Sequence, residues 1–343
     1  MTRIPIARRK YITIAFWLIS GTDFRRPNKI LYFNSKKDCE KLTLNLSQIE
    51  IERYMTTLDE LQGYMDQFMN QRNSRGLAEF EGYSPFEMQH ILYNTFGDKS
   101  PIRLRKLKAE DYQLIPILNQ VKYLARLILN AGELKLTKLG FLPTKIVAEL
   151  YGQGFMKEDH IERNITKLYK ETDSNSVHVA RVLLEISGLA KKRNNKLSLT
   201  QKSEKILDDD FTLCQLILEA YCEKFNWAHL DYYGENNIGQ LGFGFSLILL
   251  HKYGSRNLSE RFYQEKYFNA FPMLLDNITY PSYSNKERYA GHCYSLRTFD
   301  RFLSYFGLIQ IQKEKGMDAD MFVIKTDVFD KLFEILLHNS QST

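Results

Sequence analysis

The sequence predicts a mainly α fold with short β-hairpins, and three observations carry that prediction. Apolar residues recur at helical spacing through much of residues 41–190. Proline is scarce (8 of 343 residues), and 22 Phe with 21 Tyr favour large side chains packed between helices over a loop-rich scaffold. A helix, a glycine, a strand-like run, a polar loop, a second strand-like run and a helix follow one another twice. With 44% hydrophobic and 26% charged residues, the chain holds enough apolar material for more than one core.

The elements follow in order. Leu44, Ile51, Met55, Leu58, Leu61, Met65 and Phe68 define one apolar helix face within residues 41–80. Ser84, Pro85 and Glu87 have the spacing of a capping box with proline at the first helical position, which predicts a helix from Pro85 to about Tyr93. Leu114, Ile117, Leu118, Val121, Leu124, Ile128 and Leu129 give an amphipathic helix over 111–129, stopped by Asn130-Ala131-Gly132 before the short run ELKLT. Helices are expected at 143–151 and, strongly charged, at about 156–170. Asp173 or Ser174 caps SVHVARVLLEIS, Gly188 ends it, and two strand-like runs flank Lys-Lys-Arg-Asn-Asn-Lys. This is the winged-helix order with one helix added.

Near the C-terminus, SLRTFDRFLSYF, Gly307-Leu308, IQIQ, the loop KEKGMDAD, MFVIKT and DVFDKLFEILL repeat the pattern. Gly188-Leu189 matches Gly307-Leu308, and Leu199-Thr200 matches Lys325-Thr326, each Thr placed to cap the next helix. The expected architecture is a multi-helix body with two winged-helix-like modules. It divides into a basic segment at 1–40 with no assigned fold, a helical region at 41–100, a basic module at 101–207, an aromatic-rich helical core at 208–290 and a second module at 291–343. Charge follows this division, at +6 for 1–40, −4 for 41–100, +9 for 101–207 and −5 for 208–343.

The runs SPFEMQHILY, LKLTKLGFLP, FNWAHLDYYG, GFGFSLILLHKYG and FYQEKYFNAFPMLL resemble those of a set of uncharacterised bacterial helical proteins, over residues 45–335 or so. The resemblance implies a multi-helix body and brings no activity, ligand or site residue.

The candidate site is the basic loop. Lys191, Lys192, Arg193 and Lys196 place four cations in six residues, the density phosphate contact needs. The preceding helix offers Ser174, Asn175, His178, Arg181 and Glu185 on its polar face, and Arg181 alone among them can reach into a groove as a guanidinium. The plainer alternative is a solvated hairpin turn, because Asn194-Asn195 tolerate positive φ. The expected function is non-enzymatic grip on the DNA phosphate backbone with little sequence discrimination. The alternatives are a protein-interaction scaffold that uses the modules as packing units, and an enzyme with an unrecognised pocket. The partners implied are double-stranded DNA at the basic module and a protein, or a second copy, at the C-terminal module, whose loop sets two Lys against one Glu and two Asp.

Other patterns carry less. Cys39, Cys214, Cys222 and Cys293 form no metal-ligand pair or disulfide framework, which fits a reducing cytoplasm with no metal or cofactor. Cys214, Cys222 and His229 are spaced too widely for a zinc site, and the adjacent His292-Cys293 lacks the geometry of a nucleophile and its base. Glu133-x-Lys135 matches the end of some nuclease motifs but has no second carboxylate strand. Gly239, Gly242 and Gly244 lack the order of a dinucleotide fingerprint and read as helix joints. The aromatic stretch from 211 to 306 has equal numbers of cations and anions, so it reads as core, with a peptide groove at Tyr232, Tyr233, Tyr280 and Tyr283 as a minor alternative. Arg8-Arg9-Lys10 before YITIAFWLIS has the outline of a signal, but no small-residue cleavage site follows and the run is too short to span a bilayer, so a packing segment and no membrane association are expected.

Overall fold

The computed structural model describes residues 58–276, 278–282, 284–314 and 321–338; the readings for 1–40 and for the start of the 41–80 helix lie outside them. The described residues are mainly α-helical with short antiparallel hairpins. The chain divides into two compact units, Met1–Ala78 with Gly82–Glu87, and Glu79–Glu81 with Met88–Thr343.

In the first unit, helix α1 runs over Leu58–Asn73. The capping box forms as predicted: the Ser84 amide donates to Glu87 Oε2 at 2.7 Å and the Glu87 amide to Ser84 Oγ at 3.3 Å. It opens helix α2, Pro85–Tyr93.

The second unit holds both repeats. The first comprises α3 (Pro116–Ala131), β2 (Leu134–Lys135), α4 (Thr144–Gly152), α5 (Asn175–Ile186), β3 (Ala190–Arg193), β4 (Lys196–Leu199) and α6 (Gln201–Ile206), with sheet order β2-β4-β3. Helix α7, Asp210–Glu219, leads to a π-helical turn, Ala220–Lys224. The second repeat comprises α8 (Phe243–Tyr253), β5 (Leu258–Ser259), α9 (Glu260–Ala270), α10 (Lys286–Ser295) prolonged by the π-helical Leu296–Leu303, then β6 (Ile309–Lys313), β7 (Met321–Lys325) and α11 (Asp327–Leu332). Its sheet order is β5-β7-β6, so helix, strand, helix, helix, strand, strand and the same strand permutation occur twice.

The equivalence extends to single hydrogen bonds. Gly188 and Gly307 end their helices at φ +78 and +66, a region glycine enters without steric cost. Thr200 Oγ1 donates to the Gly188 carbonyl at 2.9 Å and Thr326 Oγ1 to the Gly307 carbonyl at 2.7 Å. The Thr200 and Thr326 amides donate to the Leu189 and Leu308 carbonyls. Both threonines precede a helix, but neither side chain caps it, because the hydroxyl is committed to the glycine carbonyl.

Three expectations need correction. The charged helix at 156–170 is a single turn, Asp159–Glu162. The amphipathic helix begins at Pro116, leaving Leu114 exposed. The last helix stops at Leu332, and Phe333–Ile335 forms strand β8, with Phe333 and Ile335 buried and Glu334 between them half-exposed, the alternation of a strand. β8 pairs antiparallel with β1, Ile102–Leu104, a strand the sequence reading missed. This clasp joins the entrance of the first repeat to the end of the second.

Most of the aromatic stretch is core, with Tyr232 and Tyr280 exposed. Trp227, Tyr221, Tyr263, Tyr267, Tyr294, Phe299 and Phe302 are fully buried, and Trp227 Nε1 donates to the Tyr221 carbonyl at 2.9 Å. Gly244 serves close packing, since a Cβ there would lie 2.8 Å from the Ile91 carbonyl oxygen.

Candidate nucleic-acid interface

The basic loop is a two-residue hairpin turn. Arg193 pairs with Lys196, and Asn194 and Asn195 between them have φ of 50 and 54, the left-handed pair that a tight twisted hairpin requires. Side chains alternate across a strand and match across an antiparallel pair, so register decides which cations share a face. Lys191 lies opposite Ser198, Arg193 opposite Lys196, and Lys135 of β2 also opposite Lys196. Lys135, Lys191, Arg193 and Lys196 therefore occupy one face, and all four are exposed.

Lys192 belongs to the other face, with Ala190, Leu197 and Leu134. Its stem lies against Gly140, and its Nζ donates to the Gly140 carbonyl at 3.3 Å. Three of the four proposed loop cations thus come together, and the fourth turns away. Lys135 replaces it. The sequence signal for Lys135 was present in Glu133-x-Lys135, but its value depends on β2 pairing with β4. Glu133 forms an ion pair with Lys196.

Arg193, Lys196 and Lys135 make a row across three strands spaced about 4.8 Å apart. Like charges directly opposite one another destabilise a sheet by up to about 1 kcal/mol per pair. Glu133 is the carboxylate that binds this row.

The polar face expected on α5 is not open. Ser176 to Arg181 are all buried. Arg181, only 8% exposed, donates through Nε to Glu171 Oε1 at 2.6 Å, pairs with Glu185, and lies 6.0 Å from the Phe141 ring centroid. The expectation that Arg181 reaches a groove is corrected here, because its guanidinium is committed inside the fold. His178 Nδ1 donates to the same Glu171 oxygen at 2.7 Å, and its ring stacks on His229 at 5.8 Å. Burial pulls the Glu171 carboxyl upward, but hydrogen bonds from His178, the Leu142 amide and Arg181 together outweigh it and hold the carboxyl below its ordinary range. The N-terminus of α5 is occupied as well. Glu158 accepts from Ser174 Oγ at 2.5 Å, from the Asn175 and Ser176 amides at 3.1 Å and from Ser176 Oγ at 2.9 Å.

The second repeat has a different surface. Gln310 and Gln312 stand where the first repeat has cations, Lys313 pairs with Asp300 at 3.1 Å and Lys325 with Asp330 at 2.6 Å. A groove of about 870 Å³ beside α9 and α10 mixes Glu260, Glu265 and Glu287 with Arg261, Arg288 and His292.

The remaining candidates resolve structurally. Cys214, Cys222 and Cys293 are free and buried, and burial, reinforced at Cys214 by Asp210, pushes the Cys214 and Cys293 thiols up to about 12, far from an active thiolate. Among the described residues no group of three His, Cys, Asp or Glu stands ready to hold a metal, and no helix is long and apolar enough to cross a membrane. Of the tyrosines named for a groove, Tyr233 packs on Tyr289 at 4.9 Å, and Tyr283 lies outside the described residues. Comparison with family models, curated proteins and solved structures finds no match to this chain.

Proposed function

We propose that the protein binds double-stranded DNA, without enzymatic action, by holding the phosphate backbone on the open face of the β2-β4-β3 sheet. Lys135, Lys191, Arg193 and Lys196 are the contacts, and the observation that carries the reading is the row of like charges with Glu133 bound to it. Phosphates supply the negative charge such a row lacks. The repeated order of helices and strands supports reading both repeats as winged-helix modules. Burial of α5 then makes the first a module that grips without reading bases, which gives little sequence discrimination. Three free buried thiols fit a cytoplasmic protein, and the resemblance noted above fits a bacterial one.

Fluorescence anisotropy of the full chain on a generic duplex across a salt series tests this. Each lost phosphate contact lowers the slope of log affinity against log salt by about 0.9. Changing Lys135, Lys191, Arg193 and Lys196 together to Ala should therefore flatten the slope by about three and a half units. Binding unaffected by the four changes, or no binding at low salt, would reject the reading.

A second reading concerns the C-terminal repeat alone. Its ion-paired hairpin favours contact with a protein or a second copy over contact with phosphate. Sedimentation of the pure chain over a hundredfold concentration range distinguishes self-association from a monomer that needs another partner.

A further inference from the structure

The sheet register places a second feature at the end of β2, beside the tip of the basic hairpin. β2 runs antiparallel to β4, toward the Asn194-Asn195 turn, and the pairing continues one residue further, where the Leu136 amide donates to the Asn195 carbonyl at 2.7 Å. Residues 137–141 therefore emerge beside the hairpin tip. There the chain closes a tight turn. The Gly140 amide donates to the Thr137 carbonyl at 2.8 Å, the Thr137 amide to the Phe141 carbonyl at 2.9 Å, and the Phe141 amide to Thr137 Oγ1 at 3.1 Å. Lys192 Nζ ties the hairpin to the same turn through the Gly140 carbonyl.

At the tip of this turn stand Lys138 and Leu139. Leu139 is 82% exposed, whereas Leu136 and Leu142 on either side are buried and anchor the turn. A single exposed leucine is ordinary on a protein surface. This one is held outward by a hydrogen-bonded turn that follows Lys135 directly in the chain, carries Lys138 beside it, and begins where β2 meets the Arg193–Lys196 hairpin turn. An apolar tip adds nothing to phosphate contact. Between two base pairs it does useful work, because a branched apolar side chain pushed into a groove unstacks a step while flanking cations hold the backbone.

We propose that Leu139 is an apolar wedge that enters the duplex and kinks it, so that the preferred substrate is DNA with a deformable pyrimidine–purine step. The proposal rests on the backbone-binding reading above and adds a residue, a DNA deformation and a sequence preference to it. Flexible TA and CA steps unstack at least cost, so the preference arises without any hydrogen bond to a base edge.

The experiment uses the full chain and a duplex of about twenty base pairs, a length chosen to span one such site. The duplex carries 2-aminopurine beside a central TA step and a dye at each end. Wild type should raise the 2-aminopurine fluorescence, shorten the end-to-end distance, and bind this duplex about ten-fold more tightly than one with a central GG step. Leu139→Ser, a change at an exposed turn position, should keep the salt slope and lose all three effects. Wild-type binding without a fluorescence rise, or a rise that survives Leu139→Ser, overturns the wedge and leaves backbone binding standing. Failure of wild type to bind any duplex overturns both. Flotation with phosphatidylserine vesicles runs in parallel, and vesicle binding lost in Leu139→Ser without a duplex signal would assign the tip to a lipid surface and overturn the wedge.

Discussion

Lys135 and Lys196 stand directly opposite one another across the β2–β4 pair, two cations on one face with Glu133 bound to the second. Glu133 therefore competes with any phosphate for Lys196. Glu133→Gln should tighten duplex binding by about three- to ten-fold at low salt. Because both partners are half-exposed, stability should change by no more than about 0.5 kcal/mol. Anisotropy and thermal melting of the same samples check the two halves of this expectation.

Neighbouring lysines should behave differently. Lys191→Ala removes a cation from the open face and should lower the salt slope by about one unit. Lys192→Ala, on the opposite face, should leave the slope nearly unchanged and increase amide exchange in residues 137–141, where its Nζ holds Gly140. Equal slopes for the two variants would contradict the face assignment.

Glu171 is the negative centre of a buried cluster with His178 and Arg181. Glu171→Gln leaves His178 Nδ1 and Arg181 Nε without their carboxylate, while Glu185 still pairs with the guanidinium, and should destabilise the fold by about 2–3 kcal/mol. The carboxyl titrates lower in the fold than in the unfolded chain. Its stabilising contribution is thus complete above the unfolded carboxylate pKa, about 4.3, and is lost as pH falls through the lower folded value. Denaturant melts between pH 7 and pH 3 should show a steep acid loss in wild type and a shallower one in the variant.

The two helix-ending glycines make a matched pair. Both have positive φ, but a Cβ at Gly307 would lie 2.3 Å from the Leu114 carbonyl oxygen, whereas nothing lies within 4 Å of one at Gly188. Gly188→Ala should cost about 1 kcal/mol from backbone strain alone. Gly307→Ala should cost about 3 kcal/mol or more, because backbone must also move. Chemical denaturation of both variants tests the difference.

Thr200→Val and Thr326→Val each delete one hydroxyl bond to a glycine carbonyl. Each should cost about 1 kcal/mol, and the double variant should show the sum, since the sites share no partner.

What the sequence revealed and what it concealed divide by range. Gly188 and Gly307 were legible as helix ends because a positive φ there is a local demand, whereas Thr200 and Thr326 were read as caps of the next helix and instead bond back to those glycines across the hairpin. The cations of the hairpin were legible as a group for the same reason. Their division between two faces was not, since it depends on which residue of β2 meets Lys196. Arg181 misled because helical periodicity identifies a polar face but not what covers it; Glu171, Phe141 and His229 reach α5 from three other segments. Strand β8 was absorbed into a helix because LFEILL satisfies both periods, and its partner is distant.

That distance has a consequence for synthesis. Arg105 and Glu334, which pair at the β1–β8 clasp, are separated by 229 positions. The cost of closing so long a loop grows only with the logarithm of its length, so the finished clasp is thermodynamically accessible. Its timing is the constraint. During synthesis Ile102 waits with an open strand edge until Phe333–Ile335 emerge, and throughout that interval the half-built protein is open to pairing with its neighbours.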